Sequence, residues 1–143
     1  MDRFGRILGV DVGSKRVGIA RTDLLRTTAN PVGTCSPEDS FKEIRRQVEH
    51  EGPVIGIVVG WPLTPQGGYT SATEMAIEYI NHIKNNYPSI PVFKMDERFS
   101  SKQAMDLMRD AGVPKGKRHK KGRLDQAAAA LILQQFLESY PEM

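Results

Sequence analysis

The chain has 143 residues, 39% hydrophobic and 26% charged, which suits one soluble globular domain over residues 1–143 and is too short for two cores. No apolar run approaches the roughly 18 residues needed to cross a bilayer, and the single cysteine, Cys35, excludes an internal disulfide and a cysteine metal cluster. Net charge is +3, yet Lys115 to Arg123 (KGKRHKKGR) carries six cations, without which the remainder stands at −3; the basicity is local and points to phosphate contact at a defined place.

Met1-Asp2-Arg3-Phe4 leads directly into strand with no apolar signal region, so a cytoplasmic protein is expected. The first element is Ile7 to Ala20 (ILGVDVGSKRVGIA). Strand alternation sends Ile7, Gly9 and Asp11 to one face and Leu8, Val10 and Val12 to the other, so Asp11 ends a core-facing row. An ionised carboxylate there is costly unless a cation or hydrogen-bond donors compensate it, and capping the turn through its own backbone is the alternative. Gly13-Ser14-Lys15-Arg16 suits a tight hairpin into a second strand, Val17 to Ala20.

Asn30 to Cys35 reads as a short third strand that Pro31 confines to an edge or start. A helix opens at the N-cap Ser36 with Pro37 in the first turn, carries Phe41, Ile44 and Val48 on one stripe, and stops at Gly52-Pro53. Val54 to Val59 is an unbroken apolar run, as expected of a central strand covered on both faces, and Gly60 to Gly68 reads as loop. A second helix runs from about Ser71, with Glu74 completing a capping box, to about Tyr87, and strand Val92 to Met95 follows. Ser100 with Gln103 opens a further helix ending at Gly112, and after the basic segment a last helix spans Leu124 to Tyr140, its alanines allowing close approach to a sheet. The pattern predicts an α/β fold: a mixed five-stranded sheet, antiparallel hairpin first and parallel strands after, flanked by helices.

Three acids fall where elements end or begin: Asp11, Glu97 after the last strand, and Asp125 in the first turn of the last helix. Glu97 could pair with Arg98 and Asp125 could complement the helix dipole. If the three meet at the strand ends they repel unless a cation lies between them, for which Mg²⁺ with a substrate phosphate is the usual answer. Lys15, Arg16 and Arg98 lie beside these acids, and Lys117, Arg118, Lys120 and Lys121 precede Asp125; all could hold backbone phosphates. Trp61 could stack on an unpaired base or simply pack its loop over the sheet.

Gly9-Val10-Asp11-Val12-Gly13-Ser14-Lys15 with Val17-Gly18-Ile19-Ala20, Val59-Gly60 with Pro62-Leu63 and Gly67, Asp96-Glu97-Arg98 with Ser100, and Lys121-Gly122 with Asp125, Ala127 and Ala129 stand in an order that resembles the YqgF-type (RuvX-type) proteins. The likeness covers nearly the whole chain. It implies a ribonuclease-H-like sheet with Asp11, Glu97 and Asp125 as the metal-binding catalytic set of a nuclease, acting on the 5′ end of pre-16S ribosomal RNA or on Holliday junctions. Two Mg²⁺ or Mn²⁺ ions would be the cofactor. They would be weakly held without substrate, because Gly122 and Ala128 stand where such nucleases commonly carry a fourth acid, and Asp96 is the nearby spare carboxylate. The family more often has a small or aliphatic residue in place of Trp61.

The expected partner is nucleic acid, RNA ahead of a DNA junction, with no membrane and with a monomer or homodimer as the assembly. Two rivals remain at this level. A non-catalytic RNA-binding module would keep the fold and the basic loop. An actin-type ATPase would use Asp-Val-Gly-Ser as a phosphate loop, but such proteins need two domains of this kind.

Overall fold

A computed structural model of the protein describes residues 4–62, 66–96 and 121–139, with side chains in the last stretch from Ala127 onward. Strand β1 (Arg6–Val12) turns back through Ser14-Lys15 into the antiparallel β2 (Val17–Thr22), with Asp11 opposite Gly18. The Gly13 amide donates to the Arg16 carbonyl at 2.9 Å to close this turn. A Cβ on Gly13 would lie 2.6 Å from that oxygen, so the hairpin needs glycine there.

Strand β3 (Ala29–Cys35) pairs antiparallel with β2 at the sheet edge, where Pro31 removes no ladder bond that the sheet needs. Helix α1 (Pro37–His50) is capped by the Ser36 hydroxyl, which accepts from the Asp39 amide at 3.1 Å. Strand β4 (Val54–Trp61) lies parallel to β1, helix α2 (Ser71–Asn86) follows, and β5 (Val92–Asp96) lies parallel to β4. Helix α3 (Lys121–Ser139) closes the described chain. The strand order is β3-β2-β1-β4-β5, the expected mixed sheet with its hairpin first.

Two local expectations change. Gly60 and Trp61 belong to β4 rather than to a loop, because β5 pairs with both, Gly60 with Met95 and Trp61 with Asp96, and ladder bonds outweigh the weak strand preference of glycine. The cap of α2 is Thr70 with Thr73, not Ser71 with Glu74: the Thr70 amide donates to the Thr73 hydroxyl at 3.0 Å and the Thr73 amide to the Thr70 hydroxyl at 3.3 Å. The helix expected from Ser100 lies outside the described residues.

The sheet is covered on both faces. Leu8, Val10, Ile57 and Val59 pack with Ile44 of α1 and with Tyr79, Ile80 and Ile83 of α2. On the other face Ile7, Ala20, Ile55 and Val58 pack with Ala129, Ala130, Ile132, Leu133 and Phe136 of α3. Ser40 and Tyr79 share a buried hydrogen bond of 2.7 Å that ties α1 to α2, and burial pushes the Tyr79 phenol well above its ordinary range, so it stays neutral.

At the far end of the sheet from the hairpin turn, Asp23 organises the β2–β3 connection. Its Oδ1 accepts from the Thr27 amide at 2.7 Å and the Thr28 amide at 2.9 Å, and its Oδ2 accepts from the Thr27 hydroxyl at 2.7 Å. Burial raises the Asp23 carboxyl, but the hydrogen bonds from Thr28 and Thr27 together outweigh it and hold the group at about 2, against an ordinary 3.8. A carboxyl lowered on folding stabilises above its unfolded value and loses that contribution as pH falls from 3.8 toward about 2. Asp23→Ala is therefore expected to cost stability at neutral pH, by no more than about 1 kcal/mol after solvent screening apart from the missing turn bonds, and to show a shallower acid decline than the parent in urea titrations run at successive pH values.

Candidate active site

Strands β1, β4 and β5 run parallel, so their C-terminal ends, Asp11-Val12, Gly60-Trp61 and Asp96, share one edge of the sheet. Asp11 lies on the α3 face of that edge, since Ile7 and Gly9, which precede it on the same row, pack under α3. This bears out the alternation read from the sequence. Asp11 is half-buried. Gly9 precedes it on its own row and Gly18 pairs with it across β2. The step after the Val10–Val59 pair sets Gly60 beside it on β4, on the face where Gly60's partner Met95 packs. Asp11 thus has glycines as its neighbours along and across the sheet: Gly9, Gly18 and Gly60.

Helix α3 reaches this place because of Gly9. A Cβ there would stand 2.9 Å from the Ala129 carbonyl and 3.0 Å from Leu133 Cβ, so the helix backbone rides directly on β1. Alanine on the helix side makes the same approach possible, as the alanine-rich start of α3 predicts. Asp125 stands one helical turn before Ala129. Asp11 and Asp125 thus lie one strand repeat and one helical turn from a single contact between their elements.

The remaining predicted residues are distributed as follows. Lys15 is exposed at the hairpin tip and Arg16 is half-buried beside it, both just past Asp11. Lys121 and Asp125 are placed on α3 by backbone alone; Glu97, Arg98, Lys117, Arg118 and Lys120 lie outside the described residues. Asp96 does not stand with Asp11: it pairs with Trp61 on the α1–α2 face, and alternation turns it away from the face of Asp11. Its expected service as a spare metal acid is therefore dropped. Trp61 also faces the α2 side, half-buried, with the Lys94 ammonium 4.4 Å over its ring and Tyr69 edge-on at 5.6 Å. Tyr69 and Lys94 were not singled out by the sequence reading; the signals available were an aromatic after Gly67-Gly68 and a lysine at the outward position between Phe93 and Met95.

A cavity of about 350 Å³ opens between β3 and α1 over Ile19, Val32 and Cys35, on the face away from Asp11. Burial, then the charges of Asp39 and Glu43, push the Cys35 thiol above its ordinary value, so it is a poor nucleophile. The α1 side of that cavity carries Asp39, Lys42, Glu43 and Arg46.

A family model described as RuvX: Holliday junction resolvase matches residues 5–139. A protein of Salinibacter ruber named "Putative pre-16S rRNA nuclease" is 46% identical over 132 residues, covering 92% of this chain and 92% of its own. A protein of the same name from Chlorobium phaeobacteroides is 42% identical over 134 residues, covering 94% and 92%. Among solved structures, the Fowlpox virus resolvase with substrate Holliday junction DNA superposes with a TM-score of 0.57 at 17% identity, over 94% of this chain and 97% of that one. T. thermophilus RuvC with a Holliday junction substrate gives 0.52 at 15% identity, over 94% of each chain. At such identities the likeness is one of fold.

Gly9→Ala tests the contact that joins α3 to β1. The added methyl meets a backbone oxygen and a Cβ that have no room to move, so the variant is expected to lose about 1–3 kcal/mol in denaturant unfolding.

Proposed function

This chain belongs to the RuvX family and is a nuclease, a hydrolase of phosphodiester bonds; we propose that it cleaves unpaired precursor ribosomal RNA at the Asp11 edge of the sheet. The observation that carries the reading is the placement of Asp11: a half-buried acid at the C-terminal end of the central strand, on the face that α3 covers, with Gly9, Gly18 and Gly60 as its neighbours in the sheet.

The donors fit a divalent cation. Asp11, Glu97 and Asp125 would supply hard carboxylate oxygens, the ligand type that Mg²⁺ and Mn²⁺ prefer. Asp96 ends β5 on the far face, and Glu97 follows it in the sequence. When bound, such ions supply a nucleophile from water at neutral pH and neutralise charge on the phosphate and the leaving oxygen. The protein's own part is then to gather the three carboxylates and to bring the scissile phosphate to them. Lys15 and Arg16 at the hairpin tip, Arg98, and Lys117, Arg118, Lys120 and Lys121 before Asp125 would grip neighbouring phosphates. None of these steps requires a side-chain nucleophile.

RNA is favoured over a four-way DNA junction for a physical reason. Resolving a junction calls for two active sites at a fixed spacing and a broad basic surface, whereas this chain outside one basic segment carries −3. The relatives from Salinibacter ruber and Chlorobium phaeobacteroides bear an RNA-processing name. The description of the family model favours the second reading, junction resolution by a homodimer. Cleavage patterns on a precursor 16S fragment and on a four-way junction, each with Mg²⁺ and with Mn²⁺, distinguish them; symmetric paired nicks on the junction at rates above those on RNA would reverse the choice.

Asp11→Asn is expected to reduce cleavage to background while leaving the fold intact. In metal-free buffer its unfolding midpoint should equal or exceed the parent's, since a repelling charge is gone while the shape is kept. Full activity in this variant would remove Asp11 from the catalytic set, and unfolding would return it to the turn-capping role.

Replacing Lys117, Arg118, Lys120 and Lys121 together by Gln should weaken single-strand binding with little change in stability. For every phosphate that the altered segment no longer grips, the plot of log affinity against log salt should flatten by about 0.7. An unchanged slope would mean that the basic segment is a solvated loop.

A further inference from the structure

Resting on that reading of the Asp11 edge, we propose that Tyr69, propped by Trp61 and accompanied by Lys94, is a subsite for single-stranded nucleic acid, stacking an unpaired base while Lys94 takes an adjacent phosphate. Trp61 is the aromatic that the sequence suggests for stacking, but its ring is already engaged. It is half-buried against the core that α1 and α2 cover, the Lys94 ammonium lies over it at 4.4 Å, and the Tyr69 ring stands perpendicular to it at 5.6 Å and 87°. The open aromatic surface belongs to Tyr69, which is 65% exposed.

Tyr69 is held rather than trailing. The Thr73 hydroxyl donates to the Pro62 carbonyl at one end of the β4–α2 connection and accepts from the Thr70 amide at the other, so one threonine pins both ends. The T-shaped contact with Trp61 then fixes the ring between them. Among the described residues the other large exposed hydrophobics are Phe4, Leu24 and Leu25. These gather at the opposite end of the sheet, where the Gly5 amide donates to the Leu24 carbonyl. Tyr69 is the one beside the edge that carries Asp11.

The geometry also sets the class of ligand. Asp11 faces α3, whereas Trp61 and Lys94 face α2 from the same strand ends. A strand with its scissile phosphate at Asp11 and a neighbouring base on Tyr69 must bend over the sheet edge and present that base unpaired. A single strand does both with little strain, and a stacked duplex does neither. An ammonium held over an aromatic ring beside an open aromatic face matches a phosphate followed by a base.

The test uses the full chain carrying Asp11→Asn, so that substrate survives, titrated with a dye-labelled single-stranded oligoribonucleotide and with a blunt RNA duplex of the same length. Tyr69→Ala in this background should weaken single-strand binding about 5- to 150-fold and leave duplex binding unchanged, with Tyr69→Phe restoring the parent's affinity. Lys94→Gln should flatten the single-strand salt slope by about 0.7. The fluorescence of Trp61, the chain's one tryptophan, should change on binding the single strand and not the duplex. Equal single-strand affinity in Tyr69→Ala and its parent overturns the subsite and leaves the nuclease reading standing. So does an equal loss on the duplex. Failure of the Asp11→Asn protein itself to bind either RNA overturns the reading of this edge as the RNA site, and the subsite with it.

Discussion

The contact between Gly9 and the backbone of α3 is the constraint on which the rest of this structure depends. A helix packs on a sheet with side chains between the two, and here one strand position and one helix position have none to spare. Ala129 brings its carbonyl to where a Gly9 Cβ would stand, so the helix lies on β1 itself. Ile7, Leu133 and Phe136, all fully buried, fill the space on either side, each worth about 1.5–3 kcal/mol of apolar burial. The contact requires glycine in the middle of a strand, a weak strand former that a sheet tolerates when its neighbours are as apolar as Leu8 and Val10.

From that contact the places of two acidic positions follow: Asp11 is two residues along β1, and Asp125 is one turn back along the α3 backbone. Gly18 and Gly60 are the neighbours of Asp11 across the sheet.

The two faces of the sheet divide the work at this edge. Alternation sends Asp11 to the α3 face, while Trp61 and Asp96 go to the α2 face. Asp11 and the aromatic–lysine group are thus on opposite faces of the sheet, both at the same strand ends. This arrangement favours a ligand that can cross an edge, and a flexible single strand is such a ligand. Asp96, adjacent to Glu97 in sequence, is kept off the face of Asp11 by the same alternation.

Much of this was legible in the residues. The alternation of Ile7, Gly9 and Asp11 fixed which face the carboxylate takes, the Gly13 turn fixed the hairpin, and Ser36-Pro37 fixed the start of α1, because each depends on neighbours within a few positions. The alanine run of α3 announced a close approach without naming its target. What only the tertiary structure decided were matters of pairing between distant segments. That β4 continues through Gly60 and Trp61 depends on β5 arriving to bond with it, and that Thr73 rather than Glu74 caps α2 depends on the Pro62 carbonyl lying within its reach. The company kept by Trp61 is of the same kind: Lys94 lies far along the chain and Tyr69 across a loop, and no local pattern states that a strand register and a pinned connection bring both to one ring. Local steric and hydrogen-bonding preferences act within a turn or two and so are written in sequence order, whereas register and packing are settled only when the sheet assembles.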